Sequence, residues 1–286
     1  MNFRESALVF SAAGEPLLGI VAHPDSPADC GVLILVGGPQ YRIGSHRQFL
    51  LLSRSLAAEG YPSLRFDYRG MGDSGGAMRD FEAVSEDVGA AIDAFQQACP
   101  TVTRVVLWGL CDAASTALLY VQARRDARIS GLALLNPWVR SEASLAQTHI
   151  KHYYGQRLME RAFWFKLLSG KLDLLKSLRG FLNSARQARA TLTSATANPT
   201  LDPRSFQERM AEGLRQFPGA VLLILSGDDY TAKEFLEYVG SNAAWSGLIA
   251  AEKISRVDVP GADHTFSTRM HRATVESETL EWLATL

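Results

Sequence analysis

The sequence predicts an α/β fold, a mostly parallel central sheet flanked by helices. Two observations carry that prediction. Six short apolar runs rich in Val, Ile and Leu lack the strict alternation of a half-buried strand, which suits strands covered on both faces. Helical patterns stand between these runs over most of the chain, the order that successive βαβ units produce.

The elements follow in order. Two β-like runs, Ala7 to Phe10 and Leu17 to Ala22, open the chain on either side of the turn signal AAGEP. GVLILV at 31–36, PSLRF at 62–66, VTRVVLW at 102–108, ISGLALL at 129–135, AVLLIL at 220–225 and KISRVDV at 253–259 are the buried-strand candidates. The helical patterns are HRQFLLLSRSLAAEG, FEAVSEDVGAAIDAFQQA, AASTALLYVQARRD and the C-terminal TRMHRATVESETLEWLATL. One interval breaks the alternation: residues 137–218 hold no strand signal but contain amphipathic stretches such as QRLMERAFWFKLLSGKLDLLKSLRGFLNSARQ. The expected organisation is therefore a core of 1–136 and 219–286 with a helical insertion at 137–218.

Composition excludes several classes. The chain of 286 residues is 47% hydrophobic and 21% charged, close to the soluble globular average rather than to a disordered or fibrous sequence. A net charge of -1 gives no electrostatic reason to expect nucleic acid as a partner. Arg4, Glu5 and the Gly14-Glu15-Pro16 break deny the N-terminus the continuous apolar stretch of a signal peptide. No run approaches the roughly 18 apolar residues that span a bilayer, so the expectation is a soluble, cytoplasmic protein. Three cysteines, Cys30, Cys99 and Cys111, show neither a disulfide framework nor zinc-site spacing, which agrees with a reducing compartment and no metal. Between 140 and 215, thirteen Lys and Arg stand against six Asp and Glu. A solvated outer face and a surface attracting an anionic substrate both fit that excess.

Chemistry is concentrated at VVLWGLCDAASTALLY. A strand runs into Gly109, any residue, Cys111, any residue, Ala113, and then a helix of small residues. A side chain at such a corner is lifted above the end of the sheet, small flanks permit the tight turn, and the positive end of the following helix favours a thiolate. Asp112 opposes that effect if ionised. Cys30 and Cys99 read instead as small buried hydrophobes. A thiol nucleophile needs a histidine base and a carboxylate to orient it. Downstream, AVLLILSGDDY ends a strand with Asp228 and Asp229, and VDVPGADHTFST places His264 after the last strand. The chain order is nucleophile, acid, histidine.

With these residues in view the chain resembles the α/β-hydrolases. The resemblance is carried by the elbow at 109–113, the acid loop Gly227-Asp228-Asp229, the histidine loop Gly261-Ala262-Asp263-His264, and FDYRGMGDSGG at 66–76, which is similar to the D-x-R-G-x-G-x-S turn of that superfamily. It covers nearly the whole chain and implies an α/β-hydrolase fold with a helical lid at the insertion. More narrowly, GGPQYRIGSHRQF with GLCDAAS and the Cys elbow resembles hydrolases found with exosortase and exopolysaccharide loci. The resemblance implies a Cys111, His264 and Asp229 triad, with Asp228 the alternative acid, and a cofactor-free reaction on a small acyl substrate: an ester, thioester or lactone, anionic if the basic block contacts it. Hydrolysis and acyl transfer both remain open, as does a weakly catalytic binding or scaffold protein for exopolysaccharide assembly.

Two departures stand out. Cys replaces the usual elbow Ser, as in the dienelactone hydrolases. At the oxyanion loop the family's His-Gly-x aligns with Gly37, Gly38 and Pro39, and proline has no N–H to donate. The expected donors are then the N–H of Asp112 and Gln40, through backbone or side chain. Loss of one such donor raises a barrier by roughly 3 to 4 kcal/mol. Candidate substrate contacts are Tyr41, Arg42, His46 and Trp138; His46 beside Arg42 and Arg47 opens a helix-like run suited to an anion, although a solvated turn fits equally. The cluster Phe163, Trp164 and Phe165 suits either a pocket wall or a helix core.

Overall fold

The computed structural model describes residues 3–140 and 202–286. Eight strands form a single sheet in the order β1-β2-β4-β3-β5-β6-β7-β8. β1 (Phe3–Ala12) and β2 (Glu15–Pro24) make an antiparallel hairpin at one edge, and β2 also runs antiparallel to β4 (Ser63–Phe66). From there the sheet is parallel: β4 pairs β3 (Cys30–Leu35), then come β5 (Arg104–Leu110), β6 (Ile129–Leu135), β7 (Ala220–Ser226) and β8 (Ile254–Val259). Every residue of β3 and β4 is buried, as is β5 after its first residue. The absence of alternation in these runs therefore had the expected cause, helices on both faces.

The described helices are α1 (Gln48–Ala58), α2 (Ser85–Ala98), α3 (Asp112–Arg124), α4 (Phe206–Gln216), α5 (Tyr230–Ser241) and α6 (Arg269–Leu283). In α3, nine residues from Ala113 to Val121 are buried, and the small side chains Ala113, Ala114 and Ala117 let this helix lie close over the sheet. Burial of each Leu or Val on its core face contributes about 1.5 to 3 kcal/mol. α3 begins directly at the end of β5, so whatever stands at residue 111 is held between a buried strand and a buried helix.

α4 corrects the expected domain boundary. The main unit comprises Met1–Val139 and Ser205–Leu286, so Trp138, Val139 and α4 belong to it rather than to an insertion ending at 218. Ser205 and Glu208 form a capping box that starts α4, and Met210, Ala211 and Leu214 bury its inner face. Gly213 faces α3 so closely that a Cβ there would collide with the Leu118 carbonyl. Residues 141–201 of the expected lid, Phe163, Trp164 and Phe165 among them, lie outside the described residues.

The FDYRGMGDSGG turn is framework. Asp67 is fully buried, its carboxylate accepts from the Arg42 backbone N–H at 2.7 Å and the Asp73 N–H at 3.1 Å, and its carbonyl accepts from Ser74 Oγ at 2.7 Å. Arg69 is tied to buried Asp87, donating from Nε to Oδ1 at 2.5 Å and from its backbone N–H to Oδ2 at 3.0 Å. Among the described residues no helix is long and apolar enough to cross a membrane.

Candidate active site

Cys111 sits where β5 turns into α3, with φ 64° and ψ -126°. A non-glycine residue in that region stores on the order of 1 to 3 kcal/mol of strain and persists only where its surroundings over-determine it. Three neighbours do so. The Cys111 N–H donates to the Leu135 carbonyl at 2.9 Å, the Cys111 carbonyl accepts from the Trp138 N–H at 3.3 Å, and Ser115 Oγ donates to the Trp138 carbonyl at 2.7 Å. Gly109 admits no side chain, since a Cβ would lie 2.6 Å from the Ala113 carbonyl group. The glycine read at this flank in the sequence is therefore required by contact. Cys30 and Cys99, in contrast, are buried, and burial pushes the Cys99 thiol up to about 11.

The acid and the histidine come from neighbouring strand ends. Asp229 directly follows the β7 turn and accepts from His264 Nδ1 through Oδ2 at 2.8 Å. It also caps α5, accepting from the Thr231 and Ala232 N–H groups at 3.1 and 3.2 Å. Burial works to raise the Asp229 carboxyl, but the histidine hydrogen bond and charge, with the two N–H groups, win and hold it below its ordinary value. Asp228 points away: its side chain is 81% exposed and lies 3.7 Å from Lys233. Of the two open acids only Asp229 meets His264. On its other side His264 meets the Cys111 side chain, and its pKa is raised to about 10, first by the Asp229 hydrogen bond and then by that to Cys111. The Asp229 contact identifies Nδ1 as the donor, leaving Nε2 for exchange with the sulfur.

Two residues absent from the sequence reading hold the histidine loop. Asn136, fully buried just after β6 with φ 43°, donates from Nδ2 to Ser226 Oγ at 2.7 Å and to the His264 carbonyl at 3.1 Å. Its Oδ1 accepts from the Ser226 N–H at 2.8 Å, and Ser226 Oγ donates to the Asp263 carbonyl at 2.9 Å. An Asn immediately after an apolar strand, at a position tolerant of left-handed backbone, was the available signal.

The loop after β3 departs from expectation. The Gln40 N–H donates across Pro39 to the Gly38 carbonyl at 2.7 Å, and Gln40 Nε2 donates to the Gly37 carbonyl at 2.7 Å. Gln40 Oε1 accepts from Ser45. Gln40 thus ties its own loop together, and its backbone donor is not free for an oxyanion. The donor that faces the nucleophile corner is the N–H of Gly38, freed by a φ of 63°, and it meets Asp112 Oδ1 at 2.7 Å.

The proposed substrate contacts divide. Arg42 is buried and its guanidinium is taken by Asp67 and, at 2.8 Å, by Asp73, so it braces the loop. Tyr41 is 39% exposed, donates to Asp73 at 3.0 Å and carries the Arg42 guanidinium 4.2 Å from its ring centre. His46 and Arg47 both have left-handed backbone ahead of α1, which begins at Gln48 without a side-chain cap. His46 therefore stands in the turn before the helix, within electrostatic reach of Asp263. Trp138 adjoins the Cys111 carbonyl through its backbone. Among the described residues no group of three or more His, Cys, Asp or Glu is arranged to hold a metal ion.

The architecture has solved counterparts. An esterase from Pyrococcus furiosus superposes with a TM-score of 0.64 at 17% identity, covering 99% of this chain and 91% of the other. Est1E from Butyrivibrio proteoclasticus, with ferulic acid bound, gives 0.59 at 16% identity over 97% and 100%. A lidless member of the a/b serine hydrolases from Xanthomonas campestris gives 0.56 at 15% over 98% and 95%. At these identities the likeness is one of fold. No curated protein matches the chain. Residues 32–277 match the profile of the Alpha/beta hydrolase family, a span that takes in every strand of the parallel sheet beyond its first residues and all three loops converging on residue 111; the chain belongs to that family.

Proposed function

We propose that the protein is a cysteine-dependent hydrolase of esters, thioesters or lactones that works through a covalent acyl-enzyme. The observation that carries this reading is His264 held between Asp229, at 2.8 Å, and Cys111 on its strained corner. Cys111 Sγ attacks the acyl carbon, forming a C–S bond, with the proton that the sulfur has given up already held on His264 Nε2, the state that the raised histidine pKa favours. Collapse of the tetrahedral species breaks the bond to the leaving group, which takes that proton. A water then gives its proton to His264 and attacks the thioester, and the thiol of Cys111 recovers the proton as the acid departs. Asp229 holds the imidazole in the tautomer that presents Nε2 and stabilises the imidazolium. The esterase among the structural counterparts supports the substrate class. An alcohol or thiol in place of water would make the same acyl-enzyme a transferase. The elbow cysteine is also the feature that supports kinship with the exosortase-locus hydrolases.

The test is labelling of Cys111 by iodoacetamide at pH 7, located by peptide mass, in wild type and in His264→Ala, together with ester turnover in Cys111→Ala. The expected result is labelling confined to Cys111, slowed at least about tenfold in His264→Ala, and loss of turnover in Cys111→Ala. Equal labelling in both proteins, or turnover that survives Cys111→Ala, refutes the reading.

One observation favours a second reading. The Asp112 carboxylate stands on the Gly38 N–H, where a substrate oxyanion would stand. A binding or scaffold protein that has lost catalysis could keep such an arrangement. In that case Cys111→Ala leaves partner binding and cellular function intact.

A further inference from the structure

A tetrahedral intermediate at Cys111 needs two N–H donors, and the fold presents them at Gly38 and Asp112. Both are covered by one side chain. Asp112 Oδ1 accepts from Gly38 at 2.7 Å, and the same carboxylate interacts with its own N–H and that of Ala113. Gly37 is glycine because a Cβ would collide with this carboxylate and with the Leu110 carbonyl. An anion in that place repels an incoming oxyanion and withholds its donors.

Next to Asp112 lies a buried donor with nothing to donate to. Tyr68 is 4% exposed, and its hydroxyl has no hydrogen-bond partner among the described residues. A buried unsatisfied hydroxyl costs about 1 to 3 kcal/mol, a reason for native structures to avoid one. Tyr68 and Asp112 line the same cavity of about 350 Å³, with Gly38, Pro39, Met78, Phe81 and Thr116 also on its walls, and the Asp112 charge reaches the Tyr68 hydroxyl. Burial raises the Asp112 carboxyl despite the three N–H groups it meets, so its present seat does not hold the ionised form tightly.

We propose that the Asp112 carboxylate is a displaceable plug of the oxyanion hole: it fills the hole in the free protein and turns into the adjoining cavity to accept the Tyr68 hydroxyl when an acyl substrate binds. The turn exchanges the side chain's bond from Gly38 for one from Tyr68 and delivers two donors to the substrate carbonyl at once. Tyr68 is a positioning residue, since it acts through Asp112. This inference rests on the reading of Cys111 as nucleophile.

Two reagents separate the plug from the nucleophile. Alkylation by iodoacetamide attacks a tetrahedral carbon and forms no oxyanion, whereas acylation by 4-nitrophenyl acetate does. Both are measured on the full chain as single-turnover labelling of Cys111 at the pH-independent plateau. In Asp112→Ala, acylation rises about tenfold while alkylation changes by less than about twofold; the gain is smaller than the roughly hundredfold or more that a whole donor supplies, because in the wild type the plug yields to the substrate. Tyr68→Phe slows acylation in the wild-type background and has no effect beside Asp112→Ala. Asp112→Ser, which keeps a polar side chain too short to reach Gly38, repeats the gain if the alanine variant folds poorly. Normal alkylation with acylation unchanged or reduced in the Asp112 variants overturns the plug alone, as does an equal Tyr68→Phe effect in both backgrounds. Labelling of Cys111 by neither reagent in any variant overturns the nucleophile reading and the plug with it.

Discussion

Two loops meet at the site, and they were not equally readable. The β5–α3 corner states its chemistry in side chains at fixed spacing: Cys111 stands at the turn itself, and Gly109 two residues before it stands where a close approach admits no side chain. The β3–α1 loop works through backbone N–H groups whose partners come from far along the chain, Asp112 for Gly38 and Asp67 for Arg42. The contrast teaches that a motif is legible when its side chains act, and illegible when its backbone acts through a distant partner.

The largest expected effect sharpens the readable half. Asp229→Asn leaves the His264 loop in place but reverses the hydrogen-bond demand at Nδ1, and ester turnover falls by about a thousandfold or more. Asp228→Asn, at an exposed side chain whose partner among the described residues is Lys233, changes it by less than about twofold. Steady-state kinetics of the two variants side by side decide the matter. Equal losses would mean that the acid assignment, the one ambiguity left by the Gly227-Asp228-Asp229 spacing, had been resolved wrongly.

The next effect lies in the loop whose backbone was misread. Arg42→Met removes the only guanidinium described against buried Asp67 and leaves that carboxylate unpaired, at a cost of about 3 to 5 kcal/mol by urea unfolding. A variant that unfolds at the wild-type midpoint with a raised KM would restore Arg42 as a substrate contact. The sequence offered Arg42 as a candidate substrate contact. It could not show that Asp67 and Asp73, from a turn recognised only as a family signature, already claim its charge. Gln40 was misplaced for the same reason, because whether an amide serves a substrate or its own loop depends on a turn of three residues around Pro39. α4 shows another limit: the sequence reading left 206–216 inside the amphipathic insertion, because a pattern names a buried face without naming what buries it, and the partners that tie this helix to the core, Leu118 against Gly213 and the Val139 carbonyl that accepts from Gln207, lie far along the chain.

Asn136 tests how far the histidine depends on its clamp. Asn136→Ala removes bonds to Ser226 and to the His264 carbonyl, and the expected result is a kcat about tenfold lower with KM changed much less, because the loop is displaced rather than the pocket. A rise in KM alone would assign Asn136 to substrate binding.

The smallest effect is in stability against pH, and its sign follows from the two shifts. His264 is raised from 6.5 to about 10, so the stability it contributes is complete below pH 6.5 and is lost as pH rises toward 10. Asp229 is lowered from 3.8, so its contribution is complete above that pH and is lost as pH falls through its folded value. Both are full only between about pH 4 and 6.5. The melting temperature of wild type minus that of His264→Gln is therefore largest in that window and shrinks on either side, steadily up to pH 10. His264 is about one-third exposed, so solvent screening keeps the difference to a few degrees. Cys111→Ala removes the second cause of the histidine's shift and leaves the first, so the alkaline decline, which still sets in above pH 6.5, is smaller and is complete at lower pH in that variant. A decline unmoved by Cys111→Ala would mean that Asp229 alone holds the imidazolium, and that the corner cysteine, however well placed, does not share its proton.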